Sequence, residues 1–191
     1  ILTIEDPIEF VHQSKKCLRN QRELHRDTLG FNEALRSALR EVPDIILLGD
    51  RRALDTIRVA LTAAETGHMV FGSLHTTSAA KTIDRVIDVF PAAEKTMVRS
   101  MLSESLRAVI SQTLMKKVGG GRIAAWEIMI GTPAIRNLIR EDKVAQMYSA
   151  IQTGNAVGMT TLDQYLQDIL AKGLVTKQDA RAKAANKETF R

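Results

Sequence analysis

Residues Asp44-Ile45-Ile46-Leu47-Leu48-Gly49-Asp50 decide the fold class of this chain. Branched apolar side chains stand in a row here, with a carboxylate at each end of the stretch. A continuous run of this kind predicts a strand buried on both faces, within a mainly parallel sheet that helices cover. Asp50 then lies at the carboxyl end of the strand, where open α/β sheets bind ligands. Capping of the following helix is the alternative role for this carboxylate.

A second predicted strand, Ile1–Ile4, leads directly into acidic residues. Glu5, Asp6 and Glu9 place three carboxylates within five residues. Their mutual repulsion would be relieved by a divalent cation or by facing arginines. We therefore expect Glu5 and Asp50 to meet at one edge of the sheet and to hold Mg²⁺ indirectly, through water. A solvated acidic turn is the alternative.

A third predicted strand, Met69–Leu74, is followed by His75 and Thr76. If the three strands lie side by side, these side chains join the acids at one edge. An imidazole or hydroxyl group there can sense or stabilise a terminal phosphate. His68 precedes the strand and is expected at the opposite edge, unless a turn brings it back. A purely structural histidine is the alternative for both positions.

The composition excludes several classes of protein. With 191 residues, 45% hydrophobic and 26% charged, the chain suits an α/β domain with a smaller attachment. Its apolar runs fall short of the roughly 20 residues that a membrane helix needs. The single cysteine, Cys17, excludes an internal disulfide, and the four histidines lack zinc-ligand spacing. A serine hydrolase is unsupported, because no G-x-S-x-G motif occurs.

The net charge of +5 is concentrated at the C-terminal end of the sequence. Residues 171–191 carry six Lys or Arg side chains and two acidic ones, so the part before them is nearly neutral. A basic tail is typical of a solvated helix face, whereas nucleic-acid binding needs a basic stripe across the fold. We therefore expect no nucleic-acid partner.

The sequence pattern changes at Gly131, which predicts two domains. Residues 1–130 are expected to form an α/β core with a mainly parallel sheet, and residues 131–191 a small all-α domain that starts at Thr132-Pro133. Within the core, the pattern predicts an edge strand or hairpin near residues 17–21, a helix capped by Asp27 or Thr28, helices at about 54–64, 79–89 and 92–110, and a hairpin whose turn is Gly119-Gly120-Gly121.

No G-x-x-x-x-G-K-[ST] phosphate loop occurs in this chain. The three glycines at 119–121 lack the lysine and the spacing of such a loop. Either the protein is not a P-loop enzyme, or its phosphate loop lies upstream of Ile1. Because the chain starts without Met and already inside a predicted strand, we expect a fragment.

Three motifs together resemble those of the type II/IV secretion ATPases. Ile4–Phe10 is similar to the acidic Asp box of that family, with Glu5, Asp6 and Glu9 as its acids. Asp44–Asp50 resembles the atypical Walker B strand. The segment from Thr66 to Thr76 resembles the His box, in which His68, His75 and Thr76 match.

A fourth motif, Gly131–Glu141, is the most specific. It resembles an element that separates the pilus retraction motors of this family from extension motors and from secretion ATPases in general. The motor-specific element comprises Ala134, Ile135, Arg136, Asn137, Leu138, Ile139, Arg140 and Glu141. The four motifs follow one another in family order over nearly the whole chain.

The resemblance implies a RecA-like P-loop ATPase core that uses ATP and Mg²⁺ and acts as a homohexamer. The ring would lie in the cytoplasm, peripheral to the inner membrane at the base of a type IV pilus, and would power pilus retraction and twitching motility. An inner-membrane platform protein and a paralogous motor ATPase would be its partners. The phosphate loop would belong to the upstream part, so the isolated fragment is expected to be inactive.

The same resemblance implies a role for each site residue. Asp50 takes the place of the catalytic Walker B glutamate and would activate water. Glu5, Asp6 and Glu9 would support Mg²⁺ and its water network. His75, together with His68, would couple the state of the γ-phosphate to domain movement.

The chain departs from the family pattern at several positions, among them Val42, Arg51 and Ala53 around the Walker B strand. Asp50 is one methylene shorter than the usual glutamate, and Trp126 stands where a histidine is common. Two other functions therefore stay open: an accessory or weakly active ring ATPase of a pilus or type II secretion system, and a RecA-like nucleic-acid translocase. Hydrolysis by the full-length protein tests the first alternative, and DNA-stimulated hydrolysis with a steep salt dependence tests the second.

Overall fold

The computed structural model describes residues 1–49 and 54–191, so the predicted site residue Asp50 lies outside the described residues. The chain divides into two compact units, each with its own core. The first unit comprises Ile1–His75 and Val86–Ser105, and the second comprises Thr76–Arg85 and Leu106–Arg191.

Strands and helices alternate along the first half of the chain, and helices dominate its end. The strands are β1 (Leu2–Glu5), β2 (Asn20–Glu23), β3 (Ile45–Leu48), β4 (Met69–Gly72), β5 (Ala108–Lys116) and β6 (Arg122–Ile130). The helices are α1 (Phe31–Ala38), α2 (Leu54–Glu65), α3 (Ala79–Asp88), α4 (Ala92–Ser105), α5 (Pro133–Arg140), α6 (Met147–Thr153), α7 (Leu162–Ala171) and α8 (Lys177–Lys183). Among these described helices, none has the length and hydropathy that a membrane crossing requires.

Within the described residues of the first unit, four strands form a parallel sheet in the order β2-β1-β3-β4. Parallel strands need crossover connections, and helices α1 and α2 supply them on either side of β3. Because all four strands run in the same direction, their carboxyl ends meet at one edge of the sheet. This arrangement confirms the predicted α/β fold with its mainly parallel sheet.

The core of the first unit lies under one face of this sheet. Ile4 and Ile46, from the two central strands, are fully buried there together with Leu35 of α1. Helix α1 contributes residues at helical spacing, because Phe31, Ala34, Leu35 and Ala38 all lie on its buried side.

Strand β3 is buried on one face only, which corrects the prediction of burial on both faces. Ile46 and Leu48 are 0% and 5% exposed, whereas Leu47 between them is 36% exposed. Its neighbour across the β3–β4 pair, Phe71, is on the same face and is 49% exposed. A run of apolar residues shows that both faces of the strand are hydrophobic. It does not show which of the two faces is buried against other residues of this chain.

The second unit is built on the antiparallel hairpin of β5 and β6. Gly119, Gly120 and Gly121 all have positive φ in its turn, a conformation that glycine adopts without steric cost. One face of the hairpin contributes Met115 and Ala125 to a core that residues from α7, α8 and the C-terminal turn complete. The predicted hairpin is therefore confirmed.

The two units have different bounds from the predicted domains, residues 1–130 and 131–191. The hairpin belongs with the C-terminal helices, because Met115 and Ala125 share a core with Leu166 and Ile169 of α7. The predicted boundary at Gly131 stays a prediction about domains of the whole protein.

Two local predictions are wrong, those for the end of α4 and for the cap of α1, and one open pair of alternatives is decided. Helix α4 ends at Ser105 and not near 110, because the following residues form β5. Strand β2 begins at Asn20 and is an edge strand of the described sheet, as one of the two alternatives predicted. It pairs in parallel with β1, which excludes the other alternative, a hairpin between them. Helix α1 has Gly30 at its N-cap and no side-chain cap hydrogen bond, so neither Asp27 nor Thr28 caps it.

Candidate functional site

The carboxyl edge of the parallel sheet brings the ends of β1, β3 and β4 together. Glu5 is the last residue of β1, and the N–H of Gly49 donates to the carbonyl oxygen of Ile4 at 2.8 Å. On the other side of β3, the N–H of Ser73 donates to the carbonyl oxygen of Leu48 at 3.1 Å. The predicted convergence of strand ends is thus present in the described backbone.

Gly49 is required by the close approach of β3 to β1. A Cβ atom at this position would lie 3.1 Å from the Cα atom of Glu5 and 3.3 Å from the carbonyl oxygen of Ile4. Both atoms belong to the backbone, which cannot give way as a side-chain end can. Gly49 directly precedes Asp50 in the sequence, so the last described residue before Asp50 lies against Glu5.

The Glu5 carboxylate is held by two hydrogen bonds that end on the same oxygen. Thr3 Oγ1 donates to Glu5 Oε1 at 2.7 Å, and Gln21 Nε2 donates to it at 3.0 Å. Thr3 is buried, whereas Glu5 and Gln21 are half-buried. Sequence reasoning missed Gln21. No local signal in the sequence would have found it, because the contact depends on the register of β2 against β1.

The other two acids of the Asp box lie beyond the strand. Asp6 and Glu9 are exposed, on the loop that follows β1. The loop is tied to β2, because the N–H of Ile8 donates to Glu23 Oε2 at 3.0 Å. The structure therefore brings Glu5 to the sheet edge and leaves Asp6 and Glu9 on the adjoining loop.

The two histidines of the His box lie at opposite ends of β4. His75 is exposed and follows the strand by three residues, at the same carboxyl edge as Glu5. His68 precedes the strand, and its ring Nδ1 lies 3.2 Å from Thr66 Oγ1 and 3.2 Å from the carbonyl oxygen of Ala63. The structure does not bring His68 to the edge where Glu5 lies.

Thr76 belongs to the second unit and is tied to the start of α3. Its Oγ1 is 2.7 Å from Thr82 Oγ1, and Thr82 Oγ1 also donates to the carbonyl oxygen of Ser78. Lys81 Nζ donates to Thr77 Oγ1 at 3.2 Å. These bonds fold the polar loop after the His box back onto the first turn of the helix.

Glu127 anchors the same helix start from β6. It is only 6% exposed, and its Oε1 accepts the N–H of Ala79 at 2.7 Å while Oε2 accepts the N–H of Leu162 at 3.4 Å. One buried carboxylate thus accepts the first backbone N–H of both α3 and α7. Helix dipoles favour negative charge at these N-termini. Sequence reasoning missed this residue, although a lone acid among apolar strand residues is a recognisable signal.

The motor-specific element forms α5 and the residue after it. Thr132 caps the helix by accepting the N–H of Ile135 at 3.3 Å, as the Thr-Pro start predicts. Ile135 and Ile139 are fully buried, while Ala134, Asn137, Arg140 and Glu141 are exposed. Leu138 and Arg136 are intermediate, and Arg136 Nε donates to the carbonyl oxygen of Gly131 at 2.8 Å. The element thus has one buried side and one polar, accessible side.

Glu141 at the end of this element is charged at neutral pH. The hydrogen bond from Lys143 lowers the pKa of Glu141 below its ordinary value, and the hydrogen bond from Asn137 lowers it further. The Lys143 Nζ to Glu141 Oε2 distance is 2.6 Å, and the Asn137 Nδ2 to Glu141 Oε1 distance is 3.1 Å. Glu141 and Lys143 thus form an ion pair at the exposed end of the element.

A directly coordinated metal has no ligand set among residues 1–49 and 54–191, where no group of three or more His, Cys, Asp or Glu side chains could hold an ion. Binding of Mg²⁺ through water by Glu5 and Asp50 stays a prediction, because Asp50 lies outside the described residues. Glu5 at the strand end is a carboxylate that suits such a water-mediated contact.

Two relatives of this chain are described as a pilus retraction ATPase and a twitching motility protein. The type IV pilus retraction ATPase PilT of Pseudomonas aeruginosa is 78% identical over 190 residues, which cover 100% of this chain and 55% of that protein. A twitching motility protein of Neisseria gonorrhoeae is 65% identical over 191 residues, covering 100% of this chain and 51% of that protein. The chain thus spans about half the length of the relatives it matches.

A solved structure has the same fold. The crystal structure of the pilus retraction motor PilT with bound ADP matches with a TM-score of 0.90 and 48% identity, over 98% of this chain and 53% of that one. Residues 1–121, which contain the acidic, Walker B-like and histidine motifs, match the family described as type II/IV secretion system protein. The chain is therefore a member of the type II/IV secretion system protein family, as its motifs predict.

Proposed function

We propose that the full-length protein is an ATP hydrolase that powers type IV pilus retraction, and that this chain supplies the carboxyl-edge residues of its hydrolysis site. The observation that carries the proposal is the meeting of Glu5 with Gly49, the residue before Asp50, at one sheet edge. Open α/β sheets bind their ligands at such an edge. The similarity to retraction motors over the whole chain supports the choice of reaction.

The proposed mechanism divides the work among three side chains. Asp50 orients the attacking water and accepts its proton. Glu5, held through Oε1, places its carboxylate beside that water. His75, exposed at the same edge, responds to the terminal phosphate. Bound Mg²⁺ would neutralise charge on the phosphates, and such preorganised electrostatics are the main source of catalysis in phosphoryl transfer.

The proposed assembly is a homohexamer at the cytoplasmic face of the inner membrane, at the base of the pilus. Nucleotide would bind between subunits, with the phosphate loop supplied by the part of the protein upstream of Ile1. An inner-membrane platform protein and a paralogous motor ATPase are the proposed partners. The exposed side of α5 is the part of the motor-specific element that can meet a partner, since Arg140 and Glu141 are accessible there.

The test compares ATP hydrolysis by the full-length protein with Asp50→Asn and Asp50→Glu variants. We expect Asp50→Asn to lower kcat about 100-fold or more, because a general base typically contributes 10²–10⁴-fold. Unchanged rates in both variants would remove Asp50 from the mechanism. Exposed Asp88, on α3, takes the same change to Asn as the control.

The shorter side chain of Asp50 favours one second candidate, a weakly active accessory ring ATPase. In that case Asp50→Glu would raise kcat well above the wild-type value, since it restores the length that the family pattern contains. A drop in kcat for Asp50→Glu supports a motor whose site is built around aspartate.

A further inference from the structure

Strand β2 presents a polar pair of side chains on the sheet face that carries Glu5. The β1–β2 register places Gln21 opposite Thr3 and Glu23 opposite Glu5. Because successive side chains alternate between the faces of a strand, these four side chains share one face. β2 is an edge strand of the described sheet, and Gln21 and Glu23 also hydrogen-bond to the loop that follows β1.

The amide group of Gln21 uses all of its polar atoms in this arrangement. Its Nε2 donates to Glu5 Oε1 at 3.0 Å and to the carbonyl oxygen of Phe10 at 3.0 Å, which accounts for both protons of the amide nitrogen. Its Oε1 accepts the N–H of His12 at 2.7 Å. A backbone N–H can only donate, so the bond from His12 identifies which atom of the Gln21 amide is the oxygen.

We infer that Gln21 is a positioning residue, which sets the orientation of the Glu5 carboxylate and couples it to the position of the loop 6–12. The inference rests on the proposed function, because it matters only if Glu5 acts in hydrolysis. Gln21 itself touches neither nucleotide nor water in this account and works through Glu5.

Glu5 needs such support because the terminal torsion of a glutamate side chain has a broad energy minimum. Hydrogen bonds from Thr3 and Gln21 to Oε1 restrict that torsion. Without Gln21, only the bond from Thr3 would remain. At a hydrolysis site a displacement of ~1 Å can cost about 100-fold in rate. The loss of the Gln21 bond is therefore expected to lower turnover more than nucleotide binding.

The loop 6–12 is fastened to β2 at a second point. Glu23 Oε2 accepts the N–H of Ile8, so the loop segment from Ile8 to His12 is held by the two side chains of one strand. This segment includes Glu9, and Asp6 lies just before it. Movement of the loop would shift the Gln21 amide and, through it, the Glu5 carboxylate.

The test uses the full-length protein with Gln21→Met and Gln21→Glu. Met keeps the length of the side chain without its polar atoms, and Glu replaces the donor with a second carboxylate beside Glu5. Gln13, an exposed residue between β1 and β2, takes the same two substitutions as the matched control. We expect kcat for ATP to fall at least about tenfold in both Gln21 variants and KM to change less than about threefold.

A double-mutant cycle with Glu5→Gln separates positioning from a general structural effect. If Gln21 acts through Glu5, Gln21→Met lowers kcat no further in the Glu5→Gln background. Wild-type kcat in Gln21→Met, or losses that multiply in the double mutant, would overturn the inference while leaving the role of Glu5 intact. Wild-type kcat in Glu5→Gln alone would overturn the proposed hydrolysis site itself, and the inference with it.

Amide hydrogen exchange gives a readout that is independent of activity. We expect the His12 amide to exchange faster in Gln21→Met than in the wild type, and at the wild-type rate in Gln13→Met. An unchanged His12 amide in Gln21→Met would contradict the link between Gln21 and the loop. Because the measurement follows one amide, it also distinguishes loss of this link from global unfolding, which would accelerate the protected amides of α1 as well.

Discussion

The N–H of Gly49 donates to the carbonyl oxygen of Ile4 at 2.8 Å. Gly49 is so close to the backbone of Glu5 that a Cβ atom on it would lie 3.1 Å from Glu5 Cα. This contact extends the pairing of β3 with β1 by one residue past the end of the assigned strand. Together with the parallel pairing of β1 and β3, it brings two motifs separated by more than forty residues in sequence to the same edge of the sheet.

Substitution of Gly49 tests this close approach. We expect Gly49→Ala to destabilise the protein by about 1–3 kcal/mol, the usual range for overpacking, because its Cβ would lie 3.1 Å from Glu5 Cα. Gly72→Ala is the matched control at the end of β4, since a Cβ there meets nothing within 4 Å among the described residues. Urea unfolding of the full-length protein measures both changes, and equal stabilities for the two variants would contradict the structural reason for Gly49.

Glu127 provides a stability test in the second unit. Removing its carboxylate in Glu127→Ala leaves the N–H groups of Ala79 and Leu162 without their acceptor. An unsatisfied buried polar group costs about 1–3 kcal/mol, so we expect a loss of about 2–4 kcal/mol for the two donors together. The exposed Glu65 takes the same substitution as a control and should change stability by less than about 0.5 kcal/mol. A loss for Glu127→Ala as small as that of the control would show that neither helix depends on this carboxylate.

The sequence predicted the strands and the polar residues at their ends better than the hydrogen bonds that support those residues. The apolar runs at Ile1–Ile4 and Ile45–Leu48 and the periodicity of α1 are local signals, and the elements follow from them. The supports of the site are non-local. Gln21 reaches Glu5 through strand register, and Glu127 reaches Ala79 across 48 residues of sequence, so no local pattern contains either contact.

The end of α4 illustrates the other kind of failure. The helical periodicity continues through Leu106 and Val109, yet the chain becomes strand β5 from Ala108 onward. Val109 is buried in the hairpin, so its apolar character satisfied both interpretations. Pairing with β6 over nine residues decided between them, and tertiary pairing of this kind outweighs helix propensity.

Substitutions on the buried and exposed sides of the motor-specific element should have different effects, the first on stability and the second on function. Ile135 is fully buried, so Ile135→Ala is expected to destabilise the protein by about 2–4 kcal/mol through the cavity it leaves. Arg140 is exposed on the same helix, and Arg140→Ala should leave the unfolding free energy within about 0.5 kcal/mol of the wild type. If the exposed side meets a partner, Arg140→Ala abolishes twitching while the full-length protein still hydrolyses ATP. Normal twitching in this variant would remove Arg140 from the interface.

The charge of Glu141 has a testable dependence on pH. Its pKa is lowered from the ordinary 4.5, first by the hydrogen bond from Lys143 and then by that from Asn137. A lowered pKa in the folded state means that the interaction is fully present above 4.5 and is lost as the pH falls through the lower value. In an NMR titration with labelled glutamate, Lys143→Gln should raise the pKa of Glu141 toward 4.5, and an unchanged titration curve would contradict the assigned cause.

Glu5→Gln in the full-length protein tests the proposed hydrolysis site most directly. The variant keeps the shape of the side chain and removes its charge at the strand end beside Gly49. With steady-state ATP hydrolysis as the measurement, we expect kcat to fall about 100-fold or more and the KM for ATP to stay within about threefold. A kcat equal to that of the wild-type protein would contradict the assignment of this sheet edge as the site of ATP hydrolysis.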